Sequence, residues 1–199
     1  MVPPARLAEC DEAGTARFAS IPIASRLAHD QARRFAPESP ANCLVYVVRA
    51  DDAWTGTRVR RVDVILTPRG FRVPRLPASP SWLPSVFGDR VLEIHDGVYA
   101  MWEVPPGHYL LDALSFAEYW RSTLAQAQGR SGAGLGTWRE LACASGQVHY
   151  FAVGDRGFEH RLVLEELAPD RAREAVLNGL RSAGVYGGAP GYRDCQMKW

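Results

Sequence analysis

The sequence predicts a mainly β fold, an antiparallel sandwich carrying a short N-terminal helix, one inserted helix and a C-terminal helix. Three observations carry that expectation. Val104-Pro105-Pro106-Gly107-His108-Tyr109-Leu110-Leu111 sets a rigid Pro-Pro and a Gly before an apolar run, which reads as a strand starting from a fixed corner at a sandwich edge. The segment Ala144 to Val153 leads from a Gly turn at Ser145-Gly146 into aromatic-rich, β-favouring residues, a further strand of the same kind. Across residues 43–167, short apolar runs are separated by Gly, Pro and Asp turn residues, as at Asp51-Asp52, Asp96-Gly97 and Gly154-Asp155, the punctuation of a mainly β domain.

Taken in order, residues 1–36 form an arm without a sustained period and then a short amphipathic helix. Ala24, Leu27, Ala28, Ala32 and Phe35 share its apolar stripe, and Pro37 stops it. The sandwich occupies residues 37–168. It opens on Cys43-Leu44-Val45-Tyr46-Val47-Val48-Arg49 and continues across Val59 to Leu66, where Val62, Val64 and Leu66 alternate with Asp63 and Ile65. Prolines 68, 74, 77, 80 and 84 remove ladder donors and make the next stretch a surface connection. Val91 to Ile94 and Val98 to Val104 read as a hairpin about His95-Asp96-Gly97, with Val98, Ala100, Trp102 and Val104 on one face.

After the Pro-Pro-Gly corner comes a strand from Tyr109 to Leu114. Ser115-Phe116-Ala117-Glu118 then fits a capping box that starts the inserted helix, residues 115–128. The loop with Gly129, Gly132, Gly134 and Gly136 ends a helix and lacks the Lys and Ser/Thr of a P-loop, so it is read as a connection. Strands follow over Trp138 to Cys143 and Gln147 to Val153. Gly154-Asp155-Arg156-Gly157 reads as a hairpin turn into Phe158 to Leu167, a register that sets Val153 against Phe158, Phe151 against His160 and His149 against Leu162. Residues 169–199 hold a helix from Pro169 to Ala183, stopped by Gly184, and an irregular tail.

The chain has 199 residues, 47% of them hydrophobic, enough for one core of ordinary size. A formal net charge of +1 supplies no long-range attraction for nucleic acid or anionic membrane, and no nucleic-acid partner is expected. No segment approaches the roughly 18 apolar residues of a membrane-spanning helix. The start, Met-Val-Pro-Pro-Ala-Arg, lacks the apolar stretch of a secretory signal, and taken as it stands it implies a cytoplasmic protein.

Cys10, Cys43, Cys143 and Cys195 include no C-x-x-C pair, which argues against a zinc knuckle or a thioredoxin-type motif. Their even number permits two disulfides in any of three connectivities; alternatively Cys43 and Cys143 are small buried hydrophobes. Under the predicted register His149 and His160 are diagonal neighbours that could share a metal, but nothing at ligand spacing supplies a third donor. Cys143, His149 and Asp155 can be cast as nucleophile, base and orienter, although Cys143 and His149 flank a turn. The expectation is therefore no catalytic residue, no metal and no cofactor. Consecutive Tyr119 and Trp120 cannot both be buried by one helical face, and with Trp82 and Trp102 they form a candidate partner surface.

Leu44 to Arg49 as opening strand, Glu103 to Tyr109 as corner and Ala144 to Phe151 as late strand resemble, in that order, a bacterial family of unknown function often described as lipoproteins. That family's immunoglobulin-like or prealbumin-like sandwich is related to PEGA-type modules. The resemblance spans about residues 35 to 168 and implies a place in the periplasm or cell envelope. The tail Gly191-Tyr192-Arg193-Asp194-Cys195 also faintly resembles the ending of prealbumin-like hydroxyisourate hydrolases. The resulting expectation is a non-catalytic binding or assembly module whose partner is another protein. The alternative is a small hydrolase or metal-binding enzyme using His149 and His160.

Overall fold

The computed structural model describes residues 26–49, 62–71, 90–94, 97–115, 118–119, 136–156 and 161–182. Its strands are β1 (Cys43–Arg49), β2 (Val62–Pro68), β3 (Val91–Ile94), β4 (Val98–Val104), β5 (Gly107–Leu114), β6 (Thr137–Cys143), β7 (Val148–Arg156), β8 (Arg161–Glu166) and β9 (Leu180–Arg181). Helix α1 spans Arg26–Ala32 and helix α2 Pro169–Asn178. Two sheets face each other, one of order β8-β7-β1-β4-β9 and the other of order β3-β2-β5-β6. The mainly β, sandwich-like architecture thus agrees with the sequence.

Side-chain alternation explains how the layers are filled. Cys43, Val45 and Val47 of β1, Ala100 and Trp102 of β4, and Phe151 and Val153 of β7 point inward. There they meet Val62, Val64, Leu66, Leu111, Ala113 and Leu141 of the other sheet. The opposite face of the five-stranded sheet is also apolar. Leu44, Tyr46, Val48, Tyr99, Met101, Tyr150 and Ala152 cluster there with Ala32 of the N-terminal helix and Ala172 and Val176 of α2. Helices therefore form a third layer. The unbroken apolar run of β1 follows from this placement, because a central strand covered on both faces has no solvent side to keep polar.

Several expectations need correction. The five-stranded sheet is mixed, not antiparallel, since β1 runs parallel to β7 and β4 parallel to β9. β3 and β4 are not a hairpin: β3 pairs with β2 and β4 with β1, so the chain changes sheets at the turn containing Gly97, whose φ of 76° only Gly adopts freely. The Pro-Pro-Gly corner does not mark a sandwich edge, because both strands that it joins are interior strands of their sheets. It carries the chain across the sandwich, with the Tyr109 hydroxyl donating to the Pro105 carbonyl at 2.8 Å.

The β7–β8 ladder also differs. Gly154, Asp155 and Arg156 remain in β7, Val153 opposes Leu164 and Phe151 opposes Glu166. Every partner of β7 lies six residues later than the sequence suggested. Helix α2 ends at Asn178 with Gly179 as its C-cap, earlier than predicted, because the following Leu180-Arg181 pairs with Val98-Tyr99. Pro68, expected to open the Pro-rich connection, is instead the last residue of β2, opposite Tyr109; residues 72–89 of that connection, the body of the inserted helix, and Cys10, His95 and Cys195 lie outside the described residues.

One lateral boundary of the sandwich is sealed by side chains. Thr137 and Arg139, on the inward-facing side of edge strand β6, donate to the Leu162 and Leu164 carbonyls of edge strand β8, at 2.5 and 3.0 Å. Inward polar groups that occupy an edge strand's free carbonyls keep it from pairing with another chain. Just before β6, Gly136 presses against β5: a Cβ there would overlap the Ala113 carbonyl oxygen and lie 3.1 Å from Leu114 Cδ1. Gly136→Ala should therefore destabilise the protein by about 1–3 kcal/mol, because strand backbone cannot swing away as a side chain can; urea unfolding measures it.

Candidate functional site

The end of the sandwich where β1 and β7 begin and β6 ends gathers the chemically distinctive side chains. Cys43, the first residue of β1, and Cys143, the last of β6, are joined as a disulfide across the two sheets, with 5.9 Å between their Cα atoms. The three connectivities left open by the sequence are thus narrowed, and the alternative of two free, apolar cysteines is set aside. Both residues belong to the intersheet core. Trp102, on the strand paired with β1, stands diagonally from Cys43 in the ladder, since Cys43 opposes Val104 and Val45 opposes Trp102.

His149 joins them because β7 lies beside β1 in parallel register, with His149 opposite the inward-facing Val45. Its half-buried ring is brought to the same end as the cystine. One ring nitrogen and the two sulfurs all lie within 4.8 Å of one another. The turn that precedes β7 holds this histidine. Ala144 to Gln147 closes with an Ala144 carbonyl to Gln147 amide hydrogen bond of 3.1 Å, and Gly146 takes the positive φ of 73° required at its third position. Gln147 Oε1 accepts from the Ala144 amide at 2.9 Å and lies 3.2 Å from His149 Nε2. An amide oxygen can only accept, so this contact is a hydrogen bond in the tautomer that carries its proton on Nε2. Burial holds the His149 pKa below the ordinary imidazole value, against the opposing pull of Glu166.

The segment before β1 is anchored at the same end by Glu103 of β4. Its carboxylate accepts from the Glu38 amide at 2.9 Å, the Ser39 amide at 2.9 Å and Asn42 Nδ2 at 3.0 Å. Burial alone would raise this pKa, but the Ser39, Glu38 and Asn42 hydrogen bonds outweigh it and hold the carboxyl below its ordinary value. A depressed carboxylate stabilises the fold above the ordinary carboxylate range, and that contribution is lost as pH falls through the lowered value. Glu103→Ala should cost about 1–2 kcal/mol at neutral pH by removing three hydrogen bonds to a charged acceptor, water replacing part of the loss at donors that are exposed or half-buried, and urea midpoints of the two proteins measure it.

The other residues singled out from sequence and described in the structure do not join this site. Trp102 is buried in the intersheet core and Tyr119 is fully buried, so neither presents surface to a partner; Trp82 and Trp120 lie outside the described residues. Tyr119 belongs to the start of the inserted helix, where the capping-box bond from the Glu118 amide to Ser115 Oγ forms at 3.2 Å. His160 is also outside the described residues. The proposed nucleophile, base and orienter do not assemble either. Cys143 has no thiol in the disulfide, and Asp155 stands six residues from His149 on the same strand, roughly 20 Å distant.

Sequence reasoning missed two features. Asp63, Glu93 and Asp112 are buried on the outer face of the four-stranded sheet, with Asp63 directly opposite Glu93. Strict alternation around Val62 and Val64 was the available signal, because it turns Asp63 away from the core. His29 is the second, buried beneath α1 against Tyr99 with ring centroids 6.2 Å apart. No helix among the described residues is long and apolar enough to cross a membrane. No protein-family model matches the chain, and neither does a curated protein or a solved structure.

Proposed function

We propose that this chain is a non-catalytic binding or assembly module, working in the bacterial cell envelope or a secreted apparatus and engaging another protein. The Cys43–Cys143 disulfide carries this reading, since cystines that join two sheets of a domain persist mainly in oxidising compartments. An intersheet cystine with a buried tryptophan on a neighbouring strand is also a habit of immunoglobulin-like sandwiches, which supports that type or the prealbumin-like one. Trp82 and Trp120 are the members of the predicted aromatic surface that this reading retains.

Thiol trapping in the source organism tests it. Cys43 and Cys143 are expected to resist alkylation in intact cells until a reductant is added; recovery of both as free thiols would sink the compartment assignment. Trp120→Ala is expected to change stability by no more than about 0.5 kcal/mol, as for a surface residue, whereas a loss of about 3–5 kcal/mol would make it core and remove it from the partner surface.

A further inference from the structure

The end of the sandwich that holds the cystine has the donor set of a metal site as well as that of a staple. We propose that, once the disulfide is reduced, Cys43, Cys143 and His149 bind one thiophilic d10 cation, Cu(I) or Zn(II), so that this end of the protein alternates between a cystine and a metal thiolate. This goes beyond the binding-module reading and does not depend on it.

Geometry carries the argument. The two sulfurs and a ring nitrogen lie within 4.8 Å of one another. Donors about 2.0–2.3 Å from a shared metal stand roughly 3.3–4 Å apart, so once the S–S bond is broken the two sulfurs, bonded in the cystine, must part by roughly 2 Å, which rotation of the two cysteine side chains about their Cα–Cβ bonds can supply without moving the strands. The donors come from three strands, β1, β6 and β7, whose positions are fixed by the ladders and by the Ala144 to Gln147 turn. Histidine ligands ordinarily donate their second nitrogen to an oxygen that orients the ring, and Gln147 Oε1 already stands 3.2 Å from His149 Nε2. Two thiolates and an imidazole select soft cations over calcium or magnesium. Cu(I) is satisfied by three such donors, and Zn(II) would add a water as the fourth.

The two forms exclude each other. In the cystine, each sulfur spends its bonding electrons on the other. A dithiol reductant transfers two electrons, leaving two cysteine thiols here and a disulfide in the reductant. Binding a cation then displaces the two thiol protons to solvent. A metal-loaded protein should in turn resist reoxidation, since the thiolates that would attack an oxidant are ligated.

The test uses the full chain with Cys10→Ser and Cys195→Ser, so that only Cys43 and Cys143 supply sulfur. Reduced protein under anaerobic conditions is titrated with Zn(II) against a chromophoric chelator, and separately with Cu(I) against a competing Cu(I) chelator; circular dichroism follows the fold. One equivalent of either cation bound by the reduced protein, none by the oxidised protein, and at least tenfold weaker binding by His149→Ala is the expected result. Reduced protein that stays folded and binds less than a tenth of an equivalent of both cations overturns the proposal. So does a His149→Ala variant that binds as tightly as its parent, and so does binding that occurs only with the loss of native dichroism, because the sulfurs alone would then be the site.

Discussion

Replacing Cys43 and Cys143 together by alanine is expected to lower the free energy of unfolding by about 3–5 kcal/mol, the largest effect of any change considered. The cysteines stand 100 residues apart in sequence, and their bond closes a loop that takes in β1 to β6. For a loop of that length the chain-entropy model gives about 4.7 kcal/mol, from the freedom denied to the unfolded chain. Both side chains are buried in the intersheet core, so alanine also leaves a small void, which adds to the loss. Urea unfolding in the Cys10→Ser, Cys195→Ser background, with and without reductant, measures it. Reduction should reproduce most of the effect of the double alanine variant, and a change below about 1 kcal/mol in both experiments would show that the cystine does not hold the sheets together.

How much of this could be read from the chain depends on whether a feature is local. The strand β1 was legible from its continuous apolar run, and the inward set of β2 from the alternation of Val62, Val64 and Leu66, because those patterns report burial residue by residue. The Ser115 cap was legible for the same reason. Partnership was not. Val91 to Ile94 and Val98 to Val104 look like a hairpin because Asp96-Gly97 is good turn chemistry, yet a Gly turn serves equally to pass between sheets. Gly154-Asp155 was read as a turn for its composition, while the ladder needed those residues in β7 to reach Leu162 and Val163. The parallel pairing of β1 and β7 joins residues about a hundred positions apart, and it is what carries His149 to the cystine. A sequence shows that Cys43, Cys143 and His149 exist; only the register shows that they meet.

Acidification should destabilise the protein between about pH 6.5 and pH 4, with His29 as the main cause. Its ring lies under α1, where it accepts a hydrogen bond from the Arg181 amide, 3.2 Å from Nε2, and thereby ties the N-terminal helix to β9. Burial, and after it the charges of Arg33 and Arg181, lower its pKa from 6.5 to about 4, with Asp30 opposing. The folded state therefore keeps this imidazole neutral where the unfolded chain has already protonated it. Since the unfolded state binds more protons in that window, stability rises with pH there and is complete above about 6.5. The lost stability approaches about 3 kcal/mol at the acid end. Protonation would also turn the acceptor nitrogen into a donor facing the Arg181 N–H, which opens the contact between α1 and β9. His149, also depressed by burial, works in the same direction, so wild type is compared with His29→Gln, whose amide oxygen can still accept from Arg181 but does not titrate. The variant should show a much flatter profile from pH 7 to pH 4 in urea denaturation. An unchanged slope would assign the acid sensitivity to another group and place His29 in the fold as a neutral spacer only.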